Sequence, residues 1–399
     1  MLNIHHMSLN KKGTSFGTIV AVFGSILIAL GVAWLIAQNW HQMSSALKII
    51  ILLAATSGAY IAGTMFRVKN YFGIAKALFA LGALFYTLSI FLIAQIFATS
   101  TSFQGQAWLW LIAWVGVLAS AYIFDSSISL IIALIEFIHW LSIQFLAFLG
   151  NNFFDLLESN KITIGILAFY FLAAGVLVYG VSLLHKSKGH KFARVYQWWT
   201  AFYFLLFTYI LSFQMLLPLI WPKSATTSTP AIVFLFFLGI VALIALVSGI
   251  TSSISNKTVQ NKEVIGVIAV VALLAILTGL TSFVSGQSGY WWIFSDNKEV
   301  STSLWALWIS INLIFILTIL AVIFYGTWQK LPKLINLGII FFALDIITRY
   351  IGFMIDLWGY TSLSIIFITG GIILLGGGWF IEKWRRNLII KVSTKTKPK

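Results

Sequence analysis

Long apolar runs recur along almost the whole chain, and their length constrains its fold more than any other feature. A helix that crosses a bilayer needs about 20 mostly apolar residues. Twelve segments meet this condition, at 16–37, 46–66, 74–97, 107–124, 128–149, 162–184, 198–220, 230–250, 263–284, 302–325, 333–354 and 360–381. Only 9% of the 399 residues are charged, which is too few to cover a water-facing surface. The sequence therefore predicts an all-α, polytopic transmembrane helix bundle of about twelve spans.

The distribution of Lys and Arg predicts how these spans are oriented, because cytoplasmic segments retain basic residues. Twenty of the 25 Lys and Arg lie at the N-terminus, in or at the edge of the even-numbered gaps, or in the tail; four lie on the opposite side, and Arg349 lies well inside a span. We therefore expect both termini in the cytoplasm, with an N-terminal segment at 1–15 and a basic tail at 382–399. The tail is expected to be attracted to anionic lipid at the cytoplasmic face. Between them we expect a five-helix membrane region at 16–149 and a seven-helix region at 162–381.

Composition and motifs exclude several classes of protein. The chain has no cysteine, which rules out disulfides, thiolate metal sites and iron–sulfur clusters. No glycine is followed by Lys-Ser or Lys-Thr in the manner of a phosphate-binding loop. The net charge of +15 does not indicate nucleic acid, because the basic residues lie in short gaps between apolar runs. We therefore expect no metal, no cofactor and no nucleic acid, with the lipid bilayer as the main partner and a small solute or ion as an open question.

Two charges interrupt the eleventh span. Asp345 and Arg349 are four residues apart with the acid nearer the N-terminus, so they share one helix face in the favourable orientation. Charged side chains within a span are costly and usually face the bundle interior, where they pair. Two interpretations stay open. The pair could fix the rotation of this helix against its neighbours, or the carboxylate could take up a proton or cation while Arg349 modulates it or binds an anion.

A second polar pair lies in the fifth span. Glu136 and His139 are three residues apart, and Glu136 lies about 12 Å from the cytoplasmic end at the rise of an α-helix. A carboxyl group beside an imidazole that titrates near neutrality is typical of a proton relay. A hydrogen-bonded pair that joins two helices is the alternative. Zinc is not expected, because a zinc site needs three or four ligands and this face offers two.

Three further groups of residues could have either a structural or a functional role. Polar side chains at the outer helix ends could cap and anchor the helices or form a solute entrance: Gln38, Asn39, His41 and Gln95. Glycines in the twelfth span would allow close helix packing: Gly370, Gly371, Gly376, Gly377 and Gly378. Two acids in an outer gap, Asp155 and Glu158, are the candidates for an enzyme acting at the outer face.

Several stretches resemble one family of bacterial membrane proteins. They are FGSILIALGVAWLIAQNWHQMSSALKIIILLAATSGAYIAG and ALGALFYTLSIFLIAQIFATS near the N-terminus, and NLGIIFFALDIITRYIGF and GGIILLGGGWFIEKWRR near the C-terminus. A glycine-rich helix ending in Ala-x-Asn-Trp and a later helix ending in Gln-Ile-aromatic resemble the domain of unknown function 2157 family; Phe97 stands where that family often has Tyr. The resemblance implies a multi-pass protein of the bacterial inner membrane. It implies no activity and no catalytic residues.

Three functions remain open at this point. The leading hypothesis is a carrier-like or channel-like protein for a small solute or ion, with a polar path near Glu136, His139, Asp345 and Arg349. The second is a non-catalytic membrane scaffold or assembly partner in which these charges join helices. The third is an intramembrane or lipid-modifying enzyme. Charges sealed between packed helices would favour the scaffold, whereas a water-accessible cavity reaching Asp345 would favour transport.

Overall fold

Nine long helices make up the part of the chain that the structure describes. The computed structural model describes residues 42–97, 102–149, 164–213, 229–258 and 302–357, together with isolated positions between 27 and 39 and between 368 and 387. The helices are α1 (Ser45–Val68), α2 (Phe72–Phe97), α3 (Phe103–Ile123), α4 (Ser127–Leu149), α5 (Ile164–Ser187), α6 (Phe192–Leu211), α7 (Thr229–Ser255), α8 (Thr302–Trp328) and α9 (Pro332–Leu357). The described residues form no strand. The all-α prediction is confirmed.

Eight of these helices are long and apolar enough to cross a membrane, which confirms a multi-pass protein. The exception is α6, whose hydropathy is lowered by residues such as Arg194 and Gln197. The predicted boundaries of this element were wrong. We expected a span at 198–220, but the helix begins at Phe192 and ends at Leu211. The first and last predicted spans lie mostly outside the described residues, and the ninth lies wholly outside them.

Five helices end in the same type of turn, with one residue in the left-handed region. The φ angles of these residues lie between 46° and 65°, at Asn70, Asp125, Gly189, Lys257 and Lys330. In each turn the next residue donates its backbone N–H to a carbonyl five positions earlier, at 2.7–3.0 Å. This Schellman arrangement satisfies carbonyls that the helix end leaves free. All five turns fall in gaps that the charge distribution assigns to the cytoplasmic side.

The chain divides into two compact units, Met1–Ala147 and Phe148–Lys399. In the first unit, α1 packs along α2, and α2 packs against α3. Gly63 allows α1 and α2 to pack closely, because a Cβ added there would lie only 3.0 Å from the Phe79 ring. A buried cluster of Ala83, Val117 and Ala133 joins α2, α3 and α4. This four-helix arrangement places the side chain of Glu136 between helices.

In the second unit, α5 and α7 make the closest contact. A Cβ added at Gly180 would lie 2.4 Å from the carbonyl carbon of Ala245, and one at Gly249 would lie 2.5 Å from the oxygen of Gly180. Only glycine permits such backbone proximity. Hydrogen bonds run along the same contact, including one of 2.8 Å from the Tyr170 hydroxyl to the Ala231 carbonyl. The backbones of α5 and α7 are therefore in direct contact.

The helix α6 is the central element of the second unit. It packs against α5, α8 and α9. Its buried residues belong to two apolar clusters, one shared with α5, α7 and α8 and the other with α8 and α9. Phe207 lies in the first cluster and Leu205 in the second. Because α6 lies between the other helices, its C-terminal end comes close to the polar residues of α8 and α9.

Candidate functional site

The charged pair of α9 forms an ion pair within the helix. The Nε of Arg349 lies 3.1 Å from Oδ1 of Asp345, one helical turn earlier. The side chain of Asp345 is 14% exposed and that of Arg349 is 33% exposed. The four-residue spacing predicted this contact, because residues four apart lie on the same face of a helix.

Arg349 also contacts two other helices, which the sequence did not predict. Its Nη2 donates to the Ser212 hydroxyl, just after the end of α6, at 2.7 Å. The same atom donates to Oδ1 of Asn312 on α8 at 2.6 Å. One guanidinium group therefore joins α6, α8 and α9. The planar group suits this geometry, because its N–H donors point in several fixed directions.

The partners of Arg349 are themselves held in place. Nδ2 of Asn312 donates to the Trp308 carbonyl at 2.7 Å, which orients its Oδ1 towards Arg349. The indole Nε1 of Trp308 donates to the Ser212 carbonyl at 3.1 Å, and the Ser212 hydroxyl donates to the Tyr209 carbonyl at 2.6 Å. These bonds fix the end of α6 against α8.

Two aromatic rings cover the guanidinium group. Its Cζ lies 5.5 Å from the ring centroid of Phe213 and 5.9 Å from that of Trp308. Contacts of this length are within the range of cation–π interactions. The charge is thus surrounded by one carboxylate, two polar side chains and two aromatic faces. We call Asp345, Arg349, Ser212, Asn312 and Trp308 the arginine cluster.

Sequence reasoning missed three members of the arginine cluster. Asn312 carried a usable signal, since it is an amide inside the apolar run WISINLIFIL. Ser212 carried none, because serine is common near helix ends. Trp308 was not distinguishable from the other 16 tryptophans of this Trp-rich chain, which has 17 in all. Their joint role depends on how three helices meet.

The second candidate site is at Glu136 on α4. Its side chain is buried, with only 4% of the residue exposed. Oε1 forms a hydrogen bond with the hydroxyl of Thr87 on α2. Oε2 is also buried and has no hydrogen-bond partner among the described residues. Glu136 therefore joins α4 to α2 through one oxygen, and its other oxygen is buried without a hydrogen bond among the described residues.

The structure does not bring Glu136 and His139 together. His139 is exposed, and its ring packs against Trp110 of α3 with centroids 4.6 Å apart. A separation of three residues turns the side-chain direction by about 60° on a helix. At the edge of the α2–α4 contact this angle is enough to bury one residue and expose the other. The partner of Glu136 is Thr87, a threonine from another helix.

The remaining predicted residues form no cluster in the described part of the chain. Gln38, Asn39 and Gln95 are exposed, and His41, Asp155 and Glu158 lie outside the described residues. A Cβ added at any of four glycines would meet nothing within 4 Å: Gly371, Gly376, Gly377 and Gly378. Gly370 lies outside the described residues. Glycines in close contact with another helix lie in other described helices, such as Gly63 on α1, Gly180 on α5 and Gly249 on α7.

No group of three or more His, Cys, Asp or Glu residues that could hold a metal occurs in the described ranges. The arginine cluster has a single carboxylate, and Glu136 has hydroxyl and aromatic neighbours. Neither arrangement is a set of metal ligands.

Comparison with known proteins finds one family model that is similar to part of the chain. Neither the curated proteins nor the solved structures contain a match. A family model does match, described as a predicted membrane protein (DUF2157), and the match covers residues 4–130. It falls within the first compact unit and includes α1, α2 and α3. Residues 4–130 are therefore similar to the DUF2157 family of predicted membrane proteins, the family that the N-terminal motifs had indicated.

Proposed function

We propose that this protein is a non-catalytic membrane scaffold or assembly partner whose intramembrane charges hold its helices in a fixed arrangement. The observation that carries this proposal is the contact of Arg349 with α6, α8 and α9 at once. Nε and Nη2 of the guanidinium group both bind side chains of the protein. A side chain engaged in this way is suited to fixing helices and poorly suited to exchanging a solute.

The proposal includes a topology. It has twelve spans with cytoplasmic termini, five in the N-terminal membrane region and seven in the C-terminal one, in the inner membrane of a bacterium. The asymmetry of Lys and Arg supports it. The five Schellman turns support it too, because each lies in a gap assigned to the same side. The basic tail would then bind anionic lipid at the cytoplasmic face.

The test is the stability of three variants in detergent: Asp345→Asn, Arg349→Gln and the double variant. Removing one partner of a buried ion pair leaves the other charge uncompensated and costs about 3–5 kcal/mol. Because Arg349 is 33% exposed, we expect about 2–3 kcal/mol for each single variant. The double variant is expected to be more stable than Arg349→Gln, since no charge is then left unpaired.

A matched control is available in the same chain. Arg386 and Glu382 form an ion pair with the same four-residue spacing and an Nε–Oε1 distance of 2.9 Å, but the Arg386 side chain is 72% exposed. Arg386→Gln is therefore expected to leave the melting temperature unchanged. If Arg349→Gln melts like Arg386→Gln and accumulates normally in membranes, the arginine cluster is not needed for the fold and the scaffold proposal loses its basis.

One observation favours a second function, a carrier-like or channel-like protein for a small solute or ion. The buried Oε2 of Glu136 has no partner among the described residues, as expected of a carboxyl group that binds something transiently. Purified protein in liposomes with an internal pH-sensitive dye would be exposed to a potassium diffusion potential. Proton entry above that of empty liposomes, lost in Glu136→Gln, would establish this function. Entry equal to that of empty liposomes would exclude proton conduction.

A further inference from the structure

The hydrogen bonds of Thr87 constrain the chemical state of Glu136. The Thr87 hydroxyl lies 3.1 Å from the carbonyl of Ala83, one turn earlier in α2, and it also contacts Oε1 of Glu136. A carbonyl oxygen can only accept a hydrogen bond, and a threonine hydroxyl has a single hydrogen to donate. If that hydrogen goes to Ala83, the hydrogen between Thr87 and Glu136 must come from the carboxyl group.

The surroundings of Glu136 favour the same assignment. An ionised carboxylate would have one hydrogen bond and a second oxygen buried without a partner among the described residues. Such a charge is far more costly in an apolar contact than a neutral carbonyl oxygen. One turn before Glu136, Ala133 belongs to the buried cluster with Ala83 and Val117. Apolar side chains from α2, α3 and α4 therefore pack one turn away from the carboxyl group.

The nearby titratable groups supply no positive charge. Those that interact electrostatically with Glu136 are the phenols of Tyr60 on α1 and Tyr86 on α2. The Tyr60 hydroxyl already donates to the Ser120 hydroxyl at 2.9 Å. Of the two basic residues of α1, Lys48 lies in its first turn, and Arg67 in its last turn forms an ion pair with Asp125 at 3.4 Å. In the described part of the chain no salt bridge reaches Glu136.

We propose that Glu136 and Thr87 form a proton-binding site inside the α1–α4 unit. The carboxyl group of Glu136 carries the bound proton at neutral pH and donates it in a hydrogen bond to Thr87, which donates its own hydrogen to Ala83. The ligand is a proton, and the chemistry is a reversible dissociation of the acid. This site shares no residue with the arginine cluster, so it can be tested independently of the scaffold proposal.

Infrared difference spectroscopy of the full-length protein in liposomes at pH 7 tests this directly. A protonated carboxyl group has a carbonyl stretch above the amide I band, whereas a carboxylate absorbs well below it. We expect the parent protein to show a carboxylic acid band that shifts in D₂O and is absent from Glu136→Gln. The band should persist in Asp345→Asn, because Asp345 is paired with Arg349 and contributes a carboxylate.

A second variant, Thr87→Val, tests the same hydrogen bond independently in case Glu136→Gln does not fold. Thr87→Val keeps the shape of the side chain and removes the hydrogen-bond acceptor, so the acid band should remain and move to higher frequency. Three results would overturn the proposal: a parent spectrum without an acid band, an acid band that both variants leave unchanged, or the loss of carboxylate bands in Glu136→Gln. Loss of carboxylate bands in Glu136→Gln would show directly that the group is ionised.

Discussion

The contact of α5 with α7 depends on the absence of a side chain at Gly180, and Gly180→Ala tests this dependence. The added Cβ would lie 2.4 Å from the carbonyl carbon of Ala245 and 2.5 Å from the backbone nitrogen of Leu246. Ordinary contacts of a Cβ atom begin at 3.4 Å. The atoms it meets belong to a helix backbone and cannot rotate away. The two helices must therefore separate by about 1 Å near this point.

The expected cost has two parts. Overpacking a tight contact costs about 1–3 kcal/mol. A separation of that size would also stretch the bond from the Ser253 hydroxyl to the Leu183 carbonyl, now 3.1 Å, and the 2.8 Å contact between the hydroxyls of Ser187 and Ser252. Interhelical hydrogen bonds in membrane proteins contribute about 0.6 kcal/mol each. We expect Gly180→Ala to lower the free energy of unfolding by about 3 kcal/mol in total.

Thermal unfolding in detergent measures this loss, with Gly239→Ala as the matched control. A Cβ at Gly239, on α7, would meet nothing within 4 Å. That variant should be neutral or gain up to about 1 kcal/mol of helix propensity. A loss of 3 kcal/mol corresponds to a fall of about 6–12 °C in melting temperature. If Gly180→Ala melts at or above the temperature of Gly239→Ala, the close backbone contact does not exist in the protein.

Two smaller predictions concern the other contacts. Tyr60→Phe removes the hydrogen bond to Ser120 and should destabilise the protein by about 0.6 kcal/mol, whereas Tyr71→Phe alters an exposed residue and should have no effect in the same thermal assay. Lys257 has a φ of 53°, which glycine adopts without strain, so Lys257→Gly should raise the free energy of unfolding by about 1 kcal/mol while Lys257→Ala should not. Equal melting temperatures for the two Lys257 variants would contradict this reasoning.

The arginine cluster contains one contact that a local sequence pattern predicts and others that it does not. The four-residue spacing of Asp345 and Arg349 predicted their ion pair, because it depends only on the geometry of one helix. The bonds from Arg349 to Ser212 and Asn312 link residues 137 and 37 positions away along the chain. No periodicity of a single segment encodes such contacts. They follow from the packing of α6 against both α8 and α9.

Glu136 shows the opposite case, in which a local pattern did not identify the hydrogen-bond partner. Its spacing from His139 suggested a shared face, but burial depends on the direction of the neighbouring helix as well as on position within α4. Glu136 contacts Thr87 of α2, and His139 packs against Trp110 of α3 at an exposed position.

The glycines also show that a pattern within one segment does not identify which helices are in contact. Those of the twelfth predicted span were the more conspicuous in sequence, yet Gly180 and Gly249 are among the glycines that lie against another helix.

The sequence by itself determined that this protein is made of long apolar helices in a membrane, because lipid requires every backbone polar group to be bonded within its own segment. Segment length and hydropathy are local properties, so the described helices follow the predicted spans to within a few residues, apart from α6. Only the tertiary structure decided which side chains meet. In lipid the apolar surfaces of helices are nearly equivalent, so partners are selected by small residues such as Gly180 and by polar groups such as Arg349, whose neighbours lie far away in the chain.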